Sequence, residues 1–159
     1  MINEPNFTHL DEKGQARMVD VTNRDVSLRT ATASGWVKLS KSVVALLREG
    51  GVPKGDVLAT ARVAAIMGAK RTPDLIPLCH PIALHGVDVE LEINDEGVLI
   101  TVSVKTADRT GVEMEALTAV AVAGLTVIDM VKALDPSAAI CDVRVETKSG
   151  GRNGEWVRD

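Results

Sequence analysis

The stretch between positions 87 and 104 alternates apolar and polar residues regularly enough to determine its secondary structure. From Val87 to Ile93 every second residue is apolar and the residues between them are acidic. The same period resumes from Val98 to Val104, after the turn-forming sequence Asn-Asp-Glu-Gly at 94–97. A period of two places all the apolar side chains on one face of a strand. The pattern therefore predicts an antiparallel β-hairpin with one buried face.

Before the hairpin, the chain predicts one strand and two helical segments. Residues 28–39 contain Thr30, Thr32 and Val37, which favour strands, and Gly35 predicts a bulge or an early bend within this stretch. Ser40 can cap a helix that Gly50 ends, and Asp56 gives a second helix start signal. We therefore expect two short helical segments between the first strand and the hairpin.

After the hairpin, the chain predicts one long helix and a last strand. Thr110 and Glu113 have the spacing of a capping box and predict the start of the helix. The helix should run to Leu134, because Pro136 disfavours helical conformation in the residue before it. A final strand follows over 140–148.

The predicted element order is that of the ferredoxin-like fold. It places the chain in the α+β class, with a βαββαβ antiparallel sheet and helices on one face. A length of 159 residues suits a single domain over 1–159. Residues 1–27 show neither period strongly and predict a poorly ordered N-terminal arm, and the glycine-rich residues 149–159 predict a mobile tail.

Charge and aromatic content exclude several classes of partner. The net charge is −4, so there is no basic surface of the kind that binds nucleic acid, and 2% aromatic residues are too few for base stacking. The longest uncharged apolar run, 116–128, is shorter than the about 20 residues that cross a bilayer, which predicts a buried helix and no membrane partner. Two cysteines and the lack of a leader pattern lead us to expect a cytoplasmic protein.

Asp129 and Lys132 interrupt the apolar surface of the long helix. Residues three apart lie on the same helical face, about 5–6 Å apart at Cβ, where an acid and a base can share a proton. One hypothesis is a buried general acid/base pair. The alternative is a structural ion pair near the end of the helix, where a lysine also suits the helix dipole.

Glu113 and Glu115 lie near the other end of this helix. A glutamate at the third helical position is most often a cap, which is a strong alternative for Glu113 and a weaker one for Glu115. Asp129 lies 14 positions after Glu115, which is roughly 21 Å along a helix and too far for one small substrate to touch both. If both ends are functional, a site combines one end from each of two chains, which predicts a homo-oligomer.

Between Lys54 and His80 the chain carries more cations than anions, although the whole protein is acidic. Four basic residues, among them Lys54 and Lys70, stand against two acidic ones. This excess is consistent with an anion site, and a basic solvated surface is the alternative for Lys70 and Arg71. Neither Gly-x-x-x-x-Gly-Lys-Ser/Thr nor Gly-x-Gly-x-x-Gly is present, so neither a P-loop nor a dinucleotide site is supported.

Two prolines bracket the segment Leu78-Cys79-His80 and make it rigid. Adjacent side chains of an extended chain point to opposite sides, which disfavours a thiolate–imidazolium pair. The cysteine and histidine spacings match no zinc site, so we expect no metal centre. His80 is better interpreted as a hydrogen-bond or phosphate partner, with a satisfied buried histidine as the alternative.

Five segments together carry a resemblance to a known family: Lys54–Asp56, Ala69–Pro81, Thr110–Leu117, Asp129–Lys132 and Lys148–Gly151. In this order, and beginning around Met18, the chain resembles the cyclic pyranopterin monophosphate synthase family, known as molybdenum cofactor biosynthesis protein C. The resemblance covers nearly the whole chain. It departs from the family at Ile128, where a tyrosine is expected.

The resemblance implies a lyase reaction. The family converts (8S)-3′,8-cyclo-7,8-dihydroguanosine 5′-triphosphate to cyclic pyranopterin monophosphate and releases diphosphate. It implies a ferredoxin-like fold assembled as a homohexamer, a trimer of dimers, with sites at chain interfaces. It implies no required cofactor, and it leaves open whether Mg²⁺ accompanies the triphosphate.

The resemblance also implies site residues by motif position. Asp129 and Lys132 are similar to the catalytic acid/base pair. The remaining positions are similar to substrate-binding residues, with the cations near the triphosphate: Leu78, Cys79, His80, Met114, Glu115, Glu113, Lys54, Lys148, Arg29 and Lys70.

Two other classes of function remain open from the residues alone. Ferredoxin-like sheets also serve as non-catalytic modules that sense small molecules, and a purely structural assembly protein is a third class. A sensor needs no buried Asp129/Lys132 pair, and a structural protein needs no local excess of cations. These features favour the enzyme.

Overall fold

A computed structural model of the protein describes residues 9–152 and 154–159. Residues 1–8 of the predicted arm and Asn153 of the predicted tail lie outside the described residues. The described ranges form the following strands and helices: β1 (Ser27–Lys38), α1 (Lys41–Glu49), α2 (Val57–Lys70), α3 (Thr72–Leu75), β2 (Gly86–Asn94), β3 (Gly97–Asp108), α4 (Glu113–Val131), β4 (Ala139–Ser149) and β5 (Trp156–Val157).

The strands form one antiparallel sheet in the order β2-β3-β1-β4-β5. The predicted hairpin is confirmed, with Val87 opposite Val104 and Ile93 opposite Val98. The predicted α+β class with helices on one face of an antiparallel sheet is confirmed as well. The short strand β5 is an addition that the sequence does not predict, and it pairs Trp156 with Lys148.

The core lies between the sheet and the helices α2 and α4. Alternate residues of β1 and β3 point into it, as the period of two requires. The buried side chains are small and aliphatic, and the larger ones among them are Ile100, Val37, Val98, Val102, Val104, Val120 and Val127. This composition explains how a chain so poor in aromatic residues fills its interior.

A bulge lies beside Gly35, but its extra residue belongs to β4 and not to β1 as the sequence predicts: Ser34 and Trp36 are two positions apart and pair with Arg144 and Cys141, which are three positions apart. The register between β1 and β4 shifts between Ser34 and Trp36. A Cβ atom built on Gly35 would lie 2.7 Å from Cγ1 of Val120, closer than carbon atoms approach. The glycine therefore permits α4 to pack directly against the middle of the sheet.

The helix limits agree with the sequence at three points. Gly50 ends α1 in the left-handed conformation, with φ at 68°. Asp56 precedes α2, and its carboxylate accepts a hydrogen bond from the amide of Ala59 at 2.9 Å. Ser40 precedes α1 as predicted, although its hydroxyl makes no cap bond to the helix.

The predicted limits of α4 are wrong at both ends. The helix begins at Glu113 rather than after Thr110, and no side chain caps it. Glu113 is therefore the first helical residue and not the third, and its carboxylate pairs with Lys148 at 3.3 Å instead of completing a capping box. At the other end α4 stops at Val131, three residues before Leu134, whose amide instead donates to the Val131 carbonyl in a tight turn.

α4 is 19 residues long and apolar enough, by length and composition alone, to cross a membrane. Ten of its residues are buried in this fold, between the sheet and α2. This degree of burial is that of a core helix. It agrees with the sequence prediction of a buried helix over residues 116–128.

Asp135 joins the end of α4 to the start of α1. Its carboxylate accepts the Ser40 amide at 2.6 Å and the Ser137 hydroxyl at 2.5 Å, and the residue is buried. These two hydrogen bonds, that from Ser137 first, hold the pKa of Asp135 below its usual range. The carboxylate therefore stabilises the fold while it is ionised.

We predict that Asp135→Ala lowers the free energy of unfolding by about 1–3 kcal/mol at neutral pH, because the partly buried Ser40 amide loses its acceptor. Because the pKa of Asp135 is lower in the folded chain than in the unfolded chain, its carboxylate stabilises the fold at pH values above the unfolded-state pKa. That stabilisation is lost as the pH falls through the folded-state pKa. Denaturant unfolding at neutral pH and well below pH 4 measures both effects. Asp88→Ala, at an exposed ion pair, is the control. An equal loss at both pH values would contradict this account.

Candidate active site

Two lysines share one carboxylate at the C-terminal end of α4. Lys132 lies one helical turn after Asp129, and its Nζ is 2.6 Å from Oδ1. Lys54, from the loop before α2, places its Nζ 3.2 Å from Oδ2 and donates to the Asp129 carbonyl oxygen at 2.8 Å. The sequence-predicted Asp129/Lys132 pair therefore exists, and the fold adds Lys54 to it.

The charges in this cluster determine the ionisation of Asp129. Hydrogen bonds from Lys132 and then Lys54, together with their positive charges, hold the pKa of Asp129 below its usual range. The carboxylate is therefore ionised at neutral pH, and it orients both ammonium groups. The arrangement fixes the position of the Lys132 ammonium group, which can then transfer a proton to a bound ligand.

The expectation that the Asp129/Lys132 pair is buried is wrong for the chain by itself. The Asp129 side chain is 58% exposed and that of Lys132 is 60% exposed. On the last turn of α4 the core-facing residues are Val127, Met130 and Val131. Asp129 and Lys132 lie on the other side of the helix, where the fold leaves them open to solvent.

Glu115 is a buried carboxyl group near the N-terminal end of α4. Only 3% of the residue is exposed. Burial raises the pKa of Glu115 to about 7, and the negative charge of Glu113 acts in the same direction. Its neighbour Met114 is partly exposed. This carboxyl group can therefore exchange its proton near neutral pH.

The rigid segment Leu78-Cys79-His80 reaches the same end of α4. All three of its residues are half-buried. Burial raises the pKa of the Cys79 thiol, and the nearby charge of Glu115 adds to the effect. The fold thus brings together two sets of residues, the Leu78–His80 segment and Met114–Glu115, that the sequence names separately.

His80 contacts the chain segment that precedes β1. Its Nε2 donates to the Val19 carbonyl oxygen at 2.6 Å. The next residue, Asp20, has its pKa lowered mainly by hydrogen bonds from Thr22, with a smaller effect from His80. His80 is therefore hydrogen-bonded within the chain, through a contact to the segment in which the sequence predicts a poorly ordered arm.

Arg29 and Lys148 line a cleft beside the N-terminal end of α4, with a volume of about 560 Å³. Lys148 pairs with Glu113 across it. The Nε of Arg29 donates to the Asp108 carbonyl oxygen at 2.9 Å, which positions the guanidinium. Gly150 and Gly151, which follow Lys148 in the last of the five family segments, also line the cleft.

The predicted site residues fall into two groups at opposite ends of α4. Lys54, Asp129 and Lys132 form one group, and the other predicted contacts cluster toward the opposite end. The cations expected together between Lys54 and Arg71 are dispersed, because Lys54 precedes α2, whereas Lys70 and Arg71 lie at its other end, where Arg71 pairs with Asp74 at 3.6 Å. Lys70 is exposed and makes no ion pair with any residue in the described ranges.

Within residues 9–152 and 154–159, no group of three His, Cys, Asp or Glu side chains is placed to hold a metal ion.

We predict that ionisation of the buried Glu115 makes the free energy of unfolding depend on pH. A folded-state pKa raised from 4.5 to about 7 means that the folded chain binds more protons between these values, so the stability falls as the pH rises through this window. Glu115→Gln should remove this decline, and Glu90→Gln, on the exposed side of β2, should retain it. Unfolding free energies across this pH range measure the slope, and an unchanged slope in Glu115→Gln would refute the assignment.

Comparison with known proteins identifies relatives of this chain. The model of the MoaC family matches residues 18–151. A cyclic pyranopterin monophosphate synthase of Streptomyces griseus is 69% identical over 96% of this chain and 86% of its own length. Proteins of the same name from Nocardioides sp. and Peptoclostridium acidaminophilum are 64% and 48% identical over 96% of this chain, and over 95% and 98% of their own lengths. The chain belongs to the MoaC family.

Proposed function

We propose that the chain converts (8S)-3′,8-cyclo-7,8-dihydroguanosine 5′-triphosphate to cyclic pyranopterin monophosphate and diphosphate, a step of molybdenum cofactor biosynthesis. Relatives up to 69% identical carry the name of this synthase. The geometric observation that supports it is the cluster in which Lys54 and Lys132 share the Asp129 carboxylate. A non-catalytic sensing module has no need of such a cluster.

The rearrangement requires protons to move at nitrogen and carbon atoms of the purine-derived ring. The ionised Asp129 carboxylate orients the Lys132 ammonium, and Lys132 transfers the proton. Lys54 adds a second positive charge at the same carboxylate. Leu78, Cys79 and His80, with Met114 and Glu115, contact the ring of the substrate.

Formation of the cyclic phosphate requires cations against the departing diphosphate. Arg29 and Lys148 supply two at the cleft, and Lys148 is already paired with Glu113 there. Lys70 supplies a further charge from the end of α2. We propose that no bound cofactor is needed, and an Mg²⁺ ion accompanying the triphosphate would belong to the substrate.

The two groups of residues act together if a second chain completes the site. Glu115 and Asp129 stand roughly 21 Å apart along α4, more than one substrate spans. The outer surface of α2 and α4 exposes Val63, Met67 and Leu125, each about 60% exposed, which favours contact with another subunit. We propose a cytoplasmic homohexamer, a trimer of dimers, with sites at chain interfaces.

Incubation of the purified protein with the cyclic dihydro-GTP substrate tests this function. We expect stoichiometric release of diphosphate and the pterin product. Binding without diphosphate release would instead support the sensing module. Chromatography with light scattering measures the oligomer independently of turnover.

We predict that Lys132→Ala reduces turnover by orders of magnitude while the protein remains folded. The side chain is exposed in the single chain, so its loss removes little packing. Lys41→Ala, at the exposed first position of α1, is the matched control and should leave turnover unchanged. Near-normal turnover in a folded and correctly assembled Lys132→Ala variant would exclude its role in proton transfer.

A further inference from the structure

The cleft beside the N-terminal end of α4 holds two arginines in addition to the residues already assigned to the phosphate chain. Arg24 lines it from the segment before β1, and Arg152 lines it from the segment after β4. With Arg29 and Lys148 they make four cations, against the two carboxylates of Asp25 and Glu113 in the cleft. The cleft is therefore cationic in a protein whose net charge is −4.

The fold holds the backbone that carries Arg24. The Nε of Arg109 donates to the Arg24 carbonyl oxygen at 2.9 Å. Arg109 directly follows Asp108, whose carbonyl oxygen accepts from Arg29. The end of β3 thus fixes the Arg24 backbone and the Arg29 guanidinium on the same side of the cleft.

The segment that carries Arg152 lies directly against β1. A Cβ atom on Gly150 would be 2.1 Å from the Leu28 carbonyl oxygen, and one on Gly151 would be 2.2 Å from Nη1 of Arg29. Both glycines have positive φ, at 95° and 72°. Only glycine permits this approach, and it places Arg152 one residue beyond the contact with Arg29.

The guanidinium groups of Arg24 and Arg152 have no hydrogen-bond or ion-pair partner among the described residues. In the wall of the same cleft, the Ser27 hydroxyl is buried and also lacks a partner there. Unsatisfied donors beside a cationic cleft suit a ligand rich in acceptor oxygens. A cavity of about 560 Å³ lies in the size range of small-molecule sites.

The geometry points to Arg24 and Arg152 as two further binding residues for the phosphate chain of the substrate, acting with Arg29 and Lys148. This inference rests on the proposed function for the identity of the substrate. The cleft itself would bind any short polyphosphate, because guanidinium groups recognise phosphate oxygens irrespective of what the phosphate is attached to. Inorganic triphosphate is therefore a probe of the cleft that requires no turnover.

The test measures the Kd of inorganic triphosphate by calorimetry and the KM and kcat of the proposed reaction. Arg24→Ala and Arg152→Ala should each raise the Kd and the KM about tenfold, the effect of one charge-assisted hydrogen bond, with kcat near the wild-type value. The double variant should lose more than either single one. Arg24→Lys and Arg152→Lys should recover part of the affinity, since they keep the charge without the planar fork.

Arg158→Ala is the matched control, because Arg158 lies beyond the cleft, over the Trp156 ring, and bonds the Val145 carbonyl oxygen. It should leave the Kd for triphosphate unchanged. Thermal unfolding verifies that each variant is folded, and the lysine variants serve where an alanine variant does not fold.

The outcomes separate this inference from the proposed function. If the wild-type protein does not bind triphosphate, or if both alanine variants bind it as the wild type does, the inference is overturned. If triphosphate binds in an arginine-dependent manner but the cyclic dihydro-GTP substrate is not converted, the proposed function fails and the cleft assignment stands.

Discussion

The close packing of α4 against the sheet is the constraint on which the rest of the structure depends. Gly35 in β1 lets Val120 of α4 approach the strand. Gly124 in α4 lets the helix approach β4, because a Cβ atom built on Gly124 would lie only 3.0 Å from Cδ1 of Ile140. Small residues at such contacts allow backbone elements to approach each other closely. Because α4 is held this way, the residues at its two ends keep fixed positions relative to the sheet.

Each end of this helix holds a different kind of chemistry. At the C-terminal end, Lys54 and Lys132 keep Asp129 ionised, and the three side chains remain open to solvent. At the N-terminal end, burial raises the pKa of Glu115 to about 7, beside the half-buried Cys79. The charged end suits proton transfer with a solvated partner, and the buried end suits contact with the ring of a ligand.

The net negative charge of the protein does not prevent it from holding an anion, because the charges are sorted in space. Arg29 and Lys148 meet in the cleft although they lie 119 positions apart in the sequence, since β1 and β4 are neighbours in the sheet. Lys54 and Lys132 meet in the same way at the other end of α4. The scarcity of aromatic residues means that a purine-derived ring would be recognised by its hydrogen-bonding edge rather than by stacking.

The sequence by itself determined the elements whose signals are local: the hairpin from its period of two, the end of α1 from Gly50 and the start of α2 from Asp56. It also determined the family, because the motifs occur in order along the chain. Only the tertiary structure decided that Glu113 pairs with Lys148 rather than capping α4, that Lys54 joins Asp129, and that Asp129 and Lys132 are exposed while Glu115 is buried. These features depend on which distant segments pack together, and burial and pairing are set by such neighbours rather than by spacing along the chain.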